Sequence, residues 1–114
     1  MRVTTDFWVA ALLRRVFADG GFGAVVRRGA TEAGAVFVLT RDRMGGVSLY
    51  GPAAQASYDT ARPDERQFTL LGEQMAEEAV DKRFQREMRF DPDFWVVEVE
   101  PGKVSTAELL SIAT

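Results

Sequence analysis

The sequence predicts an α+β fold in the order α-β-β-β-α-β. Three observations carry this. Two segments repeat apolar residues at helical spacing. Several short β-branched runs lie between and after them. The connections around the first three runs are too short for crossover helices, which favours antiparallel neighbours. The expected architecture is a mainly antiparallel four-stranded sheet with the helices packed on one face, followed by a short helix near residues 105–113.

The first helix follows from Thr4 or Thr5 as cap and Asp6 in the first turn. Val9, Leu12, Leu13, Val16 and Phe17 form its apolar face. Trp8 and Arg15 flank that face, Arg14 points away from it, and Gly20-Gly21 end the helix. Strands are expected at 24–28, 35–41 and 47–50, separated by "GATEAG" and "DRMGG", as a three-stranded meander. The run "AVFVL" is apolar on both faces and suits the meander's central strand. Residues 53–73 read as a long connection with an extended piece at 67–71. The second helix is expected from about 73 to 90, with Ala76, Val80, Phe84 and Met88 on one stripe. Asp91-Pro92 stops it. A strand, "DFWVVEVE", follows. Trp95, Val97 and Val99 share one of its faces, and Phe94, Val96, Glu98 and Glu100 the other.

"DFWV" occurs at 6–9 and again at 93–96. The first copy opens a helix, where Phe7 and Trp8 lie about 100° apart. The second enters a strand, where Phe94 and Trp95 point to opposite faces. The repetition is coincidental, and internal-repeat folds are set aside.

A chain of 114 residues, 46% hydrophobic and 27% charged, fits one domain spanning 1–114. It contains neither Cys nor His. That removes disulfides, thiolate catalysis, Cys/His zinc sites, haem held by His and Ser-His-Asp triads. No cofactor and no metal is expected. The net charge of −3 argues against broad nucleic-acid binding. The first thirty residues nevertheless carry five Arg against two Asp. No apolar run is long enough to span a bilayer. The run from Phe7 to Leu13 is preceded by Asp6 and followed by Arg14-Arg15, the reverse of a secretion signal, so a cytoplasmic address is expected.

The segments "TTDFWVAALLRRVFADGGFGAVVRRG", "EAGAVFVLTRDR", "SLYGPA" and "RFDPDFWVVEVE", in this order, resemble the short bacterial proteins grouped as domain of unknown function fourteen-ninety-one. The resemblance covers nearly the whole chain. It implies a compact stand-alone α+β protein and brings no mechanism and no functional residues.

The candidate site residues are few. Asp91 and Asp93 could share a cation or proton, although Asp before Pro is ordinary turn chemistry. Arg14, Arg15, Arg27 and Arg28 could hold an anion, or pair with the acidic second half of the chain. In a strand, Arg27 and Arg28 point to opposite faces. Tyr50 and Tyr58 bracket a small-residue loop containing Gln55, which could line a shallow pocket or lie flat over the sheet. "GGFG" lies between helix and strand, the wrong order for a phosphate loop. Trp8, at the edge of its helix's apolar face, is a candidate for a partner surface, whereas Trp95 is expected in the core. The best-supported function is a non-enzymatic binding or regulatory module acting through a protein partner, with homo-oligomerisation left open. The alternatives are an anionic small-molecule binder or enzyme using Asp, Tyr and Arg, and a weak nucleic-acid binder.

Overall fold

The computed structural model describes residues 3–41, 44–53 and 66–112. The chain is α+β, as its patterning predicts. Its elements are α1 (Thr5–Ala18), β1 (Phe22–Arg27), β2 (Val36–Arg41), β3 (Val47–Pro52), β4 (Gln67–Met75), α2 (Glu77–Phe90), β5 (Trp95–Glu100), α3 (Thr106–Leu109) and β6 (Ser111–Ile112). They build one six-stranded sheet in the order β1-β5-β2-β3-β4-β6.

Three features differ from the expected arrangement. The sheet is mixed. β5 pairs antiparallel with β1 but parallel with β2, and β4 pairs parallel with β6. Of the expected meander of the first three strands only the β2–β3 pairing forms, because β5 inserts between β1 and β2; β4 adds antiparallel to β3 instead. Secondly, helices lie on both faces. Val9, Leu12 and Val16 of α1 and Leu109 of α3 pack with Val36, Val38, Trp95, Val97 and Val99. Val80 of α2 packs with Phe37, Leu39, Val47, Leu49, Phe94 and Val96 on the other side. Two apolar faces on β2 and β5 need two covers, which is the physical reason a one-sided arrangement fails. Thirdly, residues 73–75 extend β4 rather than opening α2, and the C-terminal helix is one turn long before the chain returns to the sheet as β6.

Local signals explain the ends of α1. The Thr4 hydroxyl accepts from the Phe7 amide at 3.2 Å, and Gly20 takes φ +87 just beyond the helix. Thr5 is fully buried, and its hydroxyl donates to the Gly34 carbonyl at 3.0 Å. Phe17, expected on the apolar face, is exposed and meets Phe22 edge-on at 5.7 Å. The connection of α2 to β5 is four residues long, so α2 runs back antiparallel over β5. Arg41 marks one end of this layer by bridging Glu77 at the start of α2 to Glu98 near the end of β5.

Candidate functional site: an edge strand and its groove

β1 is the outermost strand on its side of the sheet. It is also unusually apolar for an edge. Phe22 and Val26 are 58% and 59% exposed, and Val25 is exposed as well. Edge strands normally carry charges or are covered, because their outer N–H and C=O groups invite a further strand. Here Gly23 lies against Leu13 and Val16 beneath α1. Its exposed neighbours extend outward along the strand.

A bulge shapes the far end of β1. Val25 pairs with Val97 but Arg27 pairs with Val96, so Val26 is the additional residue. The slip moves Arg27 onto the α2 side. Its guanidinium lies 4.7 Å from the Phe94 ring centroid. Its Nε donates to the Phe94 carbonyl at 3.2 Å, and its Nη2 donates to the Pro92 carbonyl and contacts Met88 Sδ. Arg28 then falls on the opposite side, 4.9 Å over the Trp95 ring and paired with Asp6 at 2.9 Å. The two arginines point to opposite faces, although Arg28 already lies beyond β1, and both are engaged within the chain.

Between β1 and α2 lies a groove of about 400 Å³, lined by Val26, Arg27, Phe84, Met88, Phe94 and Val96, with Asp81 and Gln85 at its rim. Phe84 and Phe94 of this lining stack with centroids 5.8 Å apart, and each meets Phe37 edge-on, at 5.8 and 5.5 Å. Val80 and Phe84 of α2 pack with residues of β2, β3 and β5, and the groove lies between this layer and β1. Met88, in its lining, is exposed, and so is Phe90 at the end of α2, at 80%. The helical stripe that suggests Met88 as core continues past the edge of the sheet, so its last member meets the groove.

The other candidate residues are dispersed. The Asp91 carboxylate accepts from the Asp93 amide at 3.0 Å, which is turn chemistry. Arg14 is exposed on α1. Arg15 reaches the Leu109 carbonyl at 3.4 Å. Tyr50 is half-buried on the α1 side of the sheet, opposite the face that Arg27 serves. Gln55 and Tyr58 lie outside the described residues. Trp8 is half-buried, its ring is tilted against Phe68 with centroids 5.7 Å apart, and the cation over it is Arg66 at 5.6 Å. Arg66 is also held by the Thr5 hydroxyl and the Gly34 carbonyl. Burial lowers its pKa from the ordinary arginine value. No local pattern in the sequence marks Arg66, because its partners lie 32 and 61 residues away. Among the described residues, no cluster of three or more His, Cys, Asp or Glu converges on a metal position. Nor is any helix among the described residues long and apolar enough to cross a membrane.

The fold and its exposed edge define a small α+β protein with an open strand and an adjoining apolar groove. The chain belongs to the family described as "Protein of unknown function (DUF1491)", whose model matches residues 3–107. It is similar to the solution structure of protein Atu0922 from A. tumefaciens, with 43% identity, 99% of this chain and 96% of that one covered, and a TM-score of 0.81. It is also similar to a DUF1491 family protein from Caulobacter crescentus CB15. The crystal structure is 38% identical over 86% of this chain and 87% of that one, with a TM-score of 0.69. The NMR structure is 34% identical over 100% and 99%, with a TM-score of 0.75. No curated protein matches the chain.

Proposed function

We propose that this chain is a non-enzymatic protein-interaction module of the cytoplasm that receives an extended segment of a partner along β1. The observation that carries the reading is the conjunction of an edge strand with exposed apolar side chains and an open apolar groove beside it. An added strand would satisfy the outer backbone groups of β1, and alternate side chains of that strand would enter the groove. Charge sets the direction of the segment. β1 ends at Arg27, whose guanidinium is held by the uncharged Phe94 and Pro92 carbonyls and keeps its charge, and its start is paired with Glu100. An antiparallel segment that begins acidic, continues apolar and ends basic matches both ends.

The small-molecule alternative loses support because Tyr50 and Arg27 serve opposite faces of the sheet and Asp91 is engaged by the turn. The nucleic-acid alternative loses support because the net charge is −3 and Arg27 and Arg28 lie on opposite faces of the sheet, so they form no common basic patch.

Selection from a library of random twelve-residue peptides tests the proposal. The expected winners carry alternating large apolar residues with an acidic start and a basic end. They should fail to bind a Val26→Lys variant, whose ammonium would lie at the groove. Enrichment of no peptide on the native chain over the variant would refute the reading.

A further inference from the structure

We infer that β1 pairs with β1 of a second copy of this chain, giving a two-fold dimer with one continuous sheet. The inference rests on the edge-strand reading above and names the occupant. The segment that β1 requires is acidic at one end, apolar along its length and basic at the other, and β1 with its paired neighbour offers this order: Glu100 beside Phe22, then Phe22 to Val26, then Arg27. Antiparallel pairing turns that order around, so the strand complements itself.

Geometry fixes a centre for the axis. Ala24 lies midway between Phe22 and Val26, is exposed, and has the smallest side chain of the strand apart from Gly23. A two-fold axis at Ala24 sets Phe22 opposite Val26 and Gly23 opposite Val25. Large side chains then meet smaller ones on both faces of the sheet. The same axis brings the Arg27–Arg28 end of one copy beside the Phe22 end of the other, where Glu100 is exposed. A closed two-fold contact of this kind uses the same patch on both copies and cannot propagate into a filament. It also covers the apolar edge that a lone chain would leave open to aggregation.

Mass measured by light scattering and sedimentation across protein concentration tests the pairing. The native chain should reach twice 12.6 kDa in a concentration-dependent manner. Ala24→Asp and Ala24→Lys each place like charges against each other at the axis, and each should weaken self-association by about tenfold or more. Mixed in equal amounts, the two variants should recover a one-to-one dimer, which a merely structural role for Ala24 would not produce. Circular dichroism of each variant checks folding, and Val26→Lys serves as the substitute where one fails to fold. A native chain that stays at 12.6 kDa at every concentration would overturn the pairing, as would variants that dimerise unchanged. A monomeric chain that still selects peptides would refute self-pairing alone and leave the interaction reading standing.

Discussion

Trp95 joins three parts of the molecule through one side chain. It has no exposed surface, its Nε1 donates to the Ala30 carbonyl at 2.8 Å, and Arg28 covers its ring. Replacing it with Ala removes that packing and leaves a cavity, so Trp95→Ala should lose about 3–5 kcal/mol. Trp95→Phe keeps much of the packing but strands the Ala30 carbonyl, at a cost of about 1–3 kcal/mol. Urea unfolding measures both. Trp8 shares its sequence neighbours with Trp95 but stays half-buried beneath Arg66. Single-Trp variants should show much stronger acrylamide quenching for Trp8, and equal protection of the two rings would contradict this placement. Tyr50 gives a pH signature. Burial first, then the charge of Glu73, raises its phenol above the ordinary value of 10.0. The folded chain therefore holds this proton more tightly than the unfolded chain does. The associated stability is fully present below pH 10 and is lost as pH rises through the raised folded value. In a Tyr58→Phe background, ultraviolet titration should place the Tyr50 midpoint above that of free tyrosine, while the melting temperature falls over the same range.

At the level of elements, the sequence is informative wherever a signal is local. Thr4 caps α1 as its hydroxyl suggests, and Trp95, Val97 and Val99 share a buried face as alternation requires. The start of α2 is misread because Ala76, its N-cap, offers no side-chain acceptor to mark the boundary. Instead the change from β4 to α2 follows Gln74, which takes a positive φ of 51. That missing cap is open to improvement. Ala76 is exposed and already has the extended backbone of an N-cap, φ −75 and ψ 154. Ala76→Ser should therefore stabilise the chain by about 0.5–1 kcal/mol, read as a higher urea midpoint at unchanged slope. Gly29 shows the opposite case. A Cβ there would run into the Asp93 carbonyl and the Phe94 backbone where β1 leaves the sheet. Gly29→Ala should cost about 1–3 kcal/mol, since only backbone movement can make room. Stability unchanged by that substitution would mean that this corner is looser than its contacts imply.

The whole molecule is organised around a strand that arrives late in the chain. β5 pairs with β1 and β2, made some seventy and sixty residues earlier, and supplies side chains to both cores. Nothing local in the sequence announces that insertion. Val25 has no pattern that points to Val97, and the short links among β1, β2 and β3 favour the meander that does not form. The apolar character of both faces of "AVFVL" is readable, but it reports burial and leaves the neighbour unnamed. The groove is hidden for the same reason, since it exists only once β5 has placed Phe94 and Val96 between β1 and α2. A chain ended at Asp91 tests the role of this strand. It keeps α1, α2 and β1 to β4, yet among the described residues β1 loses its sole paired neighbour and β2 loses one of its two. It also lacks Phe94, Trp95, Val96, Val97, Val99, Leu109 and Leu110, seven of the eighteen buried apolar residues among those described. A loss of that size exceeds the few kcal/mol by which domains of this length are stable. The truncated chain should show no cooperative thermal transition. A peptide of residues 92–114 added in trans should restore one, because the missing strand slots between two edges already complementary to it. A cooperative transition in the truncated chain alone would mean that β2, β3 and β4 with their helices form an independent unit, and that β5 only completes it.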